Sequence, residues 1–225
     1  MSEPTSRVAP RFGERAAMIL STEHWSLLGA RSLTYNETFS RTTVFLNVLS
    51  ASIVALALIA DATGFDDSFG AFALFVFPLV LFLGIATYVR LVQLNFEDVQ
   101  LVIAMNRMRR AYLEMEPELE PYFTTGSYDD ERGVFTTLVL GRPAFARFWP
   151  HFFITTPTVV GTIDAIVAAS GVALLGSRLG IPSAAIVVLA LVTFTGLWLF
   201  LFALQVRTVK LVRAQVPRFP SPTGS

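Results

Sequence analysis

The one ionisable side chain deep inside an apolar run is Asp164, in the segment TPTVVGTIDAIVAASG. Counting about 1.5 Å per residue along a helix from Phe152 places it about 18 Å into the run, near the middle of a bilayer. A charged acid at that depth costs about 2.5–3.5 kcal/mol on insertion scales, so it is expected to face other helices or water and to find a partner. Gly161, Ala165 and Ala168 lie about one turn away, and such a small-residue face lets another helix come close. Thr195, in the last apolar run, falls at a similar depth, and its hydroxyl is the expected partner. Asn47, in the first run, is shallower and fits a polar contact between helices. Two chemistries are open. The acid can line a pore or cavity, where it coordinates an ion or carries a proton. It can instead lock two helices together as a protonated or hydrogen-bonded side chain. A relay or ion pathway usually has a second ionisable group at the same depth, and the sequence places none there.

Other candidates carry less. His24 and His151 are the only histidines, far apart in sequence and without an acid at metal-ligand spacing, so hydrogen bonding at an interface is expected of them. Glu114, Glu116, Glu118 and Glu120 could attract cations, but their alternate spacing around Pro117 and Pro121 does not gather them on one helix face and reads as a solvated turn. Pro78 and Pro157 read as kinks more readily than as broken helices that expose carbonyls to an ion. The stretch GVALLGSRLG lacks the Lys-Ser/Thr ending of a phosphate loop. No Ser–His–Asp, paired-acid or metalloprotease pattern is present, so neither an enzyme nor a bound cofactor or metal is expected.

Composition sets the class. Of 225 residues 53% are hydrophobic and 15% charged, against about 25% charged in soluble proteins, and the mean hydropathy is +0.59. The net charge is zero and no basic stripe is present, which argues against a nucleic-acid partner. With no cysteine, disulfides, thiolate catalysis and iron–sulfur sites are excluded.

These side chains must be positioned by apolar helices. Residues 1–20 are polar, contain Pro4 and Pro10, and are expected to be disordered, without a signal-peptide core. An amphipathic helix is expected over 21–41, with Ser21 as N-cap. The first hairpin, 43–94, pairs a span at 43–60 with one at 69–94. A central helix and loop fill 95–151, the second hairpin is 152–206, and a Pro-rich disordered tail follows at 207–225. In the central helix Leu101, Met105, Met108, Tyr112 and Met115 recur at three- and four-residue steps, a stripe that needs a partner helix. Arg142 to Phe153, rich in Phe and Trp, reads as an aromatic belt at the membrane interface.

Sixteen of the seventeen Lys and Arg residues flank or join the hairpins on one side, and only Arg178 lies in the short turns opposite. By the positive-inside rule both termini and the central helix are cytoplasmic. The nonapeptides ATYVRLVQL (86–94) and ALQVRTVKL (203–211) share five residues in register, each near the end of a hairpin.

The segments NRMRRAYLEMEPELEPYF (106–123) and STEHWSLLGARSLTYNETFSR (21–41) resemble a family of uncharacterised four-span integral membrane proteins from high-GC Gram-positive bacteria. The resemblance implies a plasma-membrane location and adds no activity and no site residues. The expected fold is therefore an all-α membrane protein, four transmembrane helices in two hairpins with a cytoplasmic helical layer. Its partners are the lipid bilayer, further copies of itself in a homo-oligomer, and a cytoplasmic protein bound by the Leu101–Met115 stripe. Two functional classes stay open: a small ion channel or transporter with Asp164 and Thr195 near the pathway, and a non-conducting scaffold or signalling protein acting through its cytoplasmic helices.

Overall fold

The computed structural model describes residues 13–138 and 155–222. Among them every regular element is a helix. The first is α1 (Glu14–Thr63), a single run where a separate helix at 21–41 and a span at 43–60 are expected. The stretch contains no proline and only one glycine, Gly29, so nothing interrupts its ladder of backbone hydrogen bonds. Residues 14–20, expected to be disordered, form its first turns.

Gly64 and Phe65, both at φ 64°, reverse the chain. Asp66 then caps α2 (Asp67–Met115): its Oδ1 accepts from the amides of Ser68 at 2.9 Å and Phe69 at 3.1 Å. Pro78 is accommodated inside α2. The helix ends at Met115, and the 3₁₀ turn Pro117–Tyr122 follows, with its glutamates exposed. A short helix, α3 (Glu131–Leu138), is capped by Asp130, which accepts from the Gly133 amide.

The helix α4 (Thr156–Arg178) carries Pro157 in its first turn, where a missing N–H costs nothing, so this proline neither kinks nor breaks it. Residues 152–154 of the expected span and the aromatic belt at 142–153, His151 included, lie outside the described residues. The turn into α5 (Ser183–Arg213) is a Schellman motif: Gly180 has φ 71°, its amide donates to the Ser177 carbonyl, and the Ile181 amide donates to that of Gly176. Pro182 then stops the helix from continuing.

The helices α1, α2, α4 and α5 are each long and apolar enough to cross a membrane. Their outward faces carry large exposed hydrophobic side chains such as Ile53, Phe82, Leu191 and Phe200. Such a surface is stable in lipid and not in water.

The chain divides into two compact units. One holds described residues 13–34, 97–138 and 213–222, and the other 35–96 and 155–212. The second has a core of Phe45, Val80, Tyr88, Leu91, Val160 and Leu201, which joins α1, α2, α4 and α5.

Candidate functional site

In the second unit the small residues of α2 and α4 decide how closely the helices meet. Gly84 faces Asp164, and a Cβ at residue 84 would overlap Asp164 Oδ1 and stand 2.6 Å from its Cγ and 2.9 Å from the Phe45 ring. Gly161 in turn faces the Tyr88 ring, whose Cε2 would lie 2.9 Å from a Cβ there. Close approach of this kind is what small residues supply to helix pairs in lipid. It leaves Asp164 at 0% exposure, and neither carboxyl oxygen has a hydrogen-bond partner.

The expected partner is elsewhere. Thr195 lies on an exposed face of α5, so it does not reach Asp164, and Asn47 is likewise exposed on α1. Depth along a helix is readable from residue count, but the direction in which a residue points is not, and here α5 turns Thr195 outward.

Instead the structure gathers polar groups that the sequence reading passed over. The Gln205 amide donates to Thr155 Oγ1 at 2.9 Å, and Thr158 Oγ1 donates to Gln205 Oε1 at 3.1 Å. The Tyr88 hydroxyl, buried, donates to the Leu201 carbonyl at 2.6 Å. One turn along α4, Thr162 accepts from Trp198 Nε1 at 3.1 Å. Tyr88, Thr158 and Gln205 line a cavity of about 10 Å³, with Gly161 and Leu201 in its wall. Tyr88 and Gln205 are matching positions of the 86–94 and 203–211 nonapeptides, which was the available signal. A larger groove of about 300 Å³ lies between α1, α2 and α4, lined by Ser52, Val80, Ile163, Val167 and Ser170.

Ion pairs tie this unit at both ends. Arg178 Nη1 donates to Asp67 at 3.0 Å, and Nη2 donates to the carbonyls of Phe65 at 2.9 Å and Asp66 at 2.6 Å. Near the middle of α1 and α2, at the other end of this unit, Arg90 donates to both Glu37 oxygens, at 2.8 and 2.9 Å, and Arg41 to Oε1 at 2.7 Å. Hydrogen bonds from Arg90 and Arg41 hold the Glu37 carboxyl down at about 2.

The first unit is organised around Asn106, fully buried on α2. Its amide donates to the Tyr128 carbonyl at 2.8 Å, and its oxygen accepts from Arg109 at 2.9 Å and Thr137 at 2.8 Å. Arg31 pairs with Asp98 at 2.6 Å, the acid that interrupts the apolar stripe. Of the stripe, Met105 is buried, while Leu101, Met108, Tyr112 and Met115 are half-buried. His24 of α1 stacks on Tyr112 with ring centroids 5.7 Å apart. The chain itself thus covers part of that face. Burial, with Arg109 adding to it, holds the His24 imidazole below its ordinary value.

The tail expected to be disordered is held in place. The amides of Arg218 and Phe219 donate to Asp129 at 2.9 and 2.7 Å, the Asp129 amide donates back to the Phe219 carbonyl, and the Ser221 amide and hydroxyl donate to Asp130. Arg107 pairs with Asp129 at 2.8 Å. Burial pushes both carboxyls up, but Arg107 with the Phe219 and Arg218 amides at Asp129, and Ser221 with the Gly133 amide at Asp130, outweigh it. Both lie below the ordinary carboxylate range.

Among the described residues no three His, Asp or Glu side chains are grouped to hold a metal ion. No protein-family model, curated protein or solved structure matches this chain.

Proposed function

We propose that this is a small ion channel or transporter of the bacterial plasma membrane, with Asp164 in its pathway. Four apolar helices with apolar outward faces support a multi-pass membrane protein. The charge asymmetry supports two hairpins with both termini and residues 95–151 on the cytoplasmic side. The observation that carries the ion-handling reading is Asp164 itself, fully buried among four apolar helices with neither oxygen hydrogen-bonded. A lock between helices would use those oxygens, so a carboxyl held in reserve fits a group that takes up and releases a cation. Asn47 and Thr195 are assigned to contacts between copies in a homo-oligomer, since a polar side chain facing lipid gains from a hydrogen bond across to another helix.

The test is ion flux into liposomes carrying the purified protein, wild type beside Asp164→Asn. Flux that the substitution abolishes, from a variant with unchanged assembly by size-exclusion chromatography, supports the proposal. Flux that it leaves unchanged returns Asp164 to a packing role.

A non-conducting scaffold or signalling protein is the second reading. It is favoured by the Asp129–Asp130 cradle, which already binds an extended segment through backbone amides. That reading requires Asp164→Asn to be silent in cells while substitutions in the first unit lose a cytoplasmic partner.

A further inference from the structure

Building on the reading of Asp164 as an ion-handling group, we infer that the ion is a proton, delivered to the carboxyl through Tyr88 and the Thr155–Thr158–Gln205 cluster. Space and ligands at Asp164 favour a proton over a metal cation. A bound metal cation needs about six oxygen ligands at about 2.0–2.6 Å. The Asp164 carboxyl instead meets Gly84 so closely that a single methyl carbon at residue 84 would overlap it, and that same carbon would stand 2.9 Å from the Phe45 ring. Val160 and Ala165, on its own helix, are fully buried and apolar. A proton needs neither volume nor ligands.

Polar groups also lead towards the carboxyl. Tyr88 lies one turn from Gly84 on α2, and Gly161, against which its ring packs, lies one turn from Asp164 on α4. Tyr88 and Asp164 therefore share a seam. The cavity of about 10 Å³ among Tyr88, Thr158 and Gln205 is at the lower size limit for a single water and has the polar partners that a water requires. Thr155, Thr158 and Gln205 extend this polar column along α4 and α5 away from Asp164. On the opposite side of Asp164 the column gives way to the groove of about 300 Å³ with Ser52 and Ser170 in its wall. Along α4, Asp164 therefore falls between Thr158 and Gly161 of the small cavity and Ile166, Val167 and Ser170 of the groove.

The step balances with water as its only co-reactant. The Thr155 and Thr158 hydroxyls, 3.0 Å apart, and Tyr88 each pass a proton forward and take one from behind, while the Gln205 amide only positions the two threonines. The carboxylate gains a proton to become the acid, and release of that proton to a water molecule in the groove, as hydronium, restores the carboxylate. In the resting geometry the Tyr88 O–H points to the Leu201 carbonyl, so delivery requires that this hydrogen bond open.

The experiment is potential-driven uptake into liposomes that contain the full chain, read in parallel by internal dyes for protons, sodium and potassium. Proton uptake without sodium or potassium uptake is expected in the wild type. Thr158→Val and Gln205→Leu should slow it, and Asp164→Asn should reduce it to the level of empty liposomes. Sodium or potassium flux that depends on Asp164, without proton flux, would overturn this inference and leave the ion-handling proposal standing. Absence of all three fluxes from folded wild-type protein would overturn both. Proton flux unaltered by Thr158→Val and Gln205→Leu would overturn the route. The ion is identified on the wild-type chain, so the result does not hang on any variant's folding.

Discussion

Gly84 of α2 and Asp164 of α4 meet so closely that residue 84 has no room for a side chain: a Cβ would overlap Oδ1 and lie 2.6 Å from Cγ. The carboxyl and the rigid Phe45 ring both stand in its way. Gly84→Ala is therefore expected to destabilise the protein by about 1–3 kcal/mol, the usual effect of overpacking. Adding Asp164→Ala to it should recover part of the loss, because the two positions are in contact and cannot be additive. Thermal unfolding in detergent of the two singles and the double measures this. Strict additivity would mean that the two residues do not touch.

At the other end of this unit Arg178 binds one carboxylate and two carbonyls. The site is partly exposed, which keeps the contribution small. Arg178→Ala is expected to cost about 1 kcal/mol and lower the melting temperature by about 2–4 °C. Arg178→Lys should not restore it, since an ammonium cannot reproduce the planar fork of donors. A melting temperature unchanged in Arg178→Ala would show the clamp to be idle.

Glu37 gives a pH signature. Its carboxyl is held down at about 2 by Arg90 and Arg41, below the unperturbed value of about 4.3. Because the folded value is depressed, the pairing contributes fully above the unfolded value and is lost as pH falls through about 2. The Glu37 side-chain resonance, followed by NMR in micelles, is expected to stay unprotonated at pH 4. A midpoint near 4.3 would mean that the two arginines do not engage it.

Release of the C-terminal segment is the most direct test of the first unit. Asp129→Ala removes the acceptor of the Arg218 and Phe219 amides, and hydrogen exchange at these two residues should accelerate towards the rate of an open chain. In the wild type both Asp129 and Asp130 are depressed below their ordinary range, so docking is complete at neutral pH. Its contribution is full above the unfolded carboxylate value and is lost only as pH falls through the depressed folded values of the two acids. Protection that survives Asp129→Ala would place the tail's anchorage elsewhere.

The sequence by itself determined that this chain is helical and that four of its helices suit a membrane, because hydropathy and helix length are sums over neighbouring residues and need no knowledge of contacts. It also singled out Asp164, since one acid in a long apolar run is conspicuous whatever surrounds it. Only the tertiary structure decided which faces meet. In a helix apolar all round no polar face marks the outside, so the count of turns gave the depth of Thr195 but not its direction, and it points away from Asp164. For the same reason Tyr88, Thr158 and Gln205 looked like scattered polar residues until α2, α4 and α5 brought them to one cavity. The docked tail was illegible for another reason. Asp129 and Asp130 bind chiefly backbone amides, which every residue but proline possesses, and the Ser221 hydroxyl is the one side-chain donor described, so the recognised segment carries little side-chain signature.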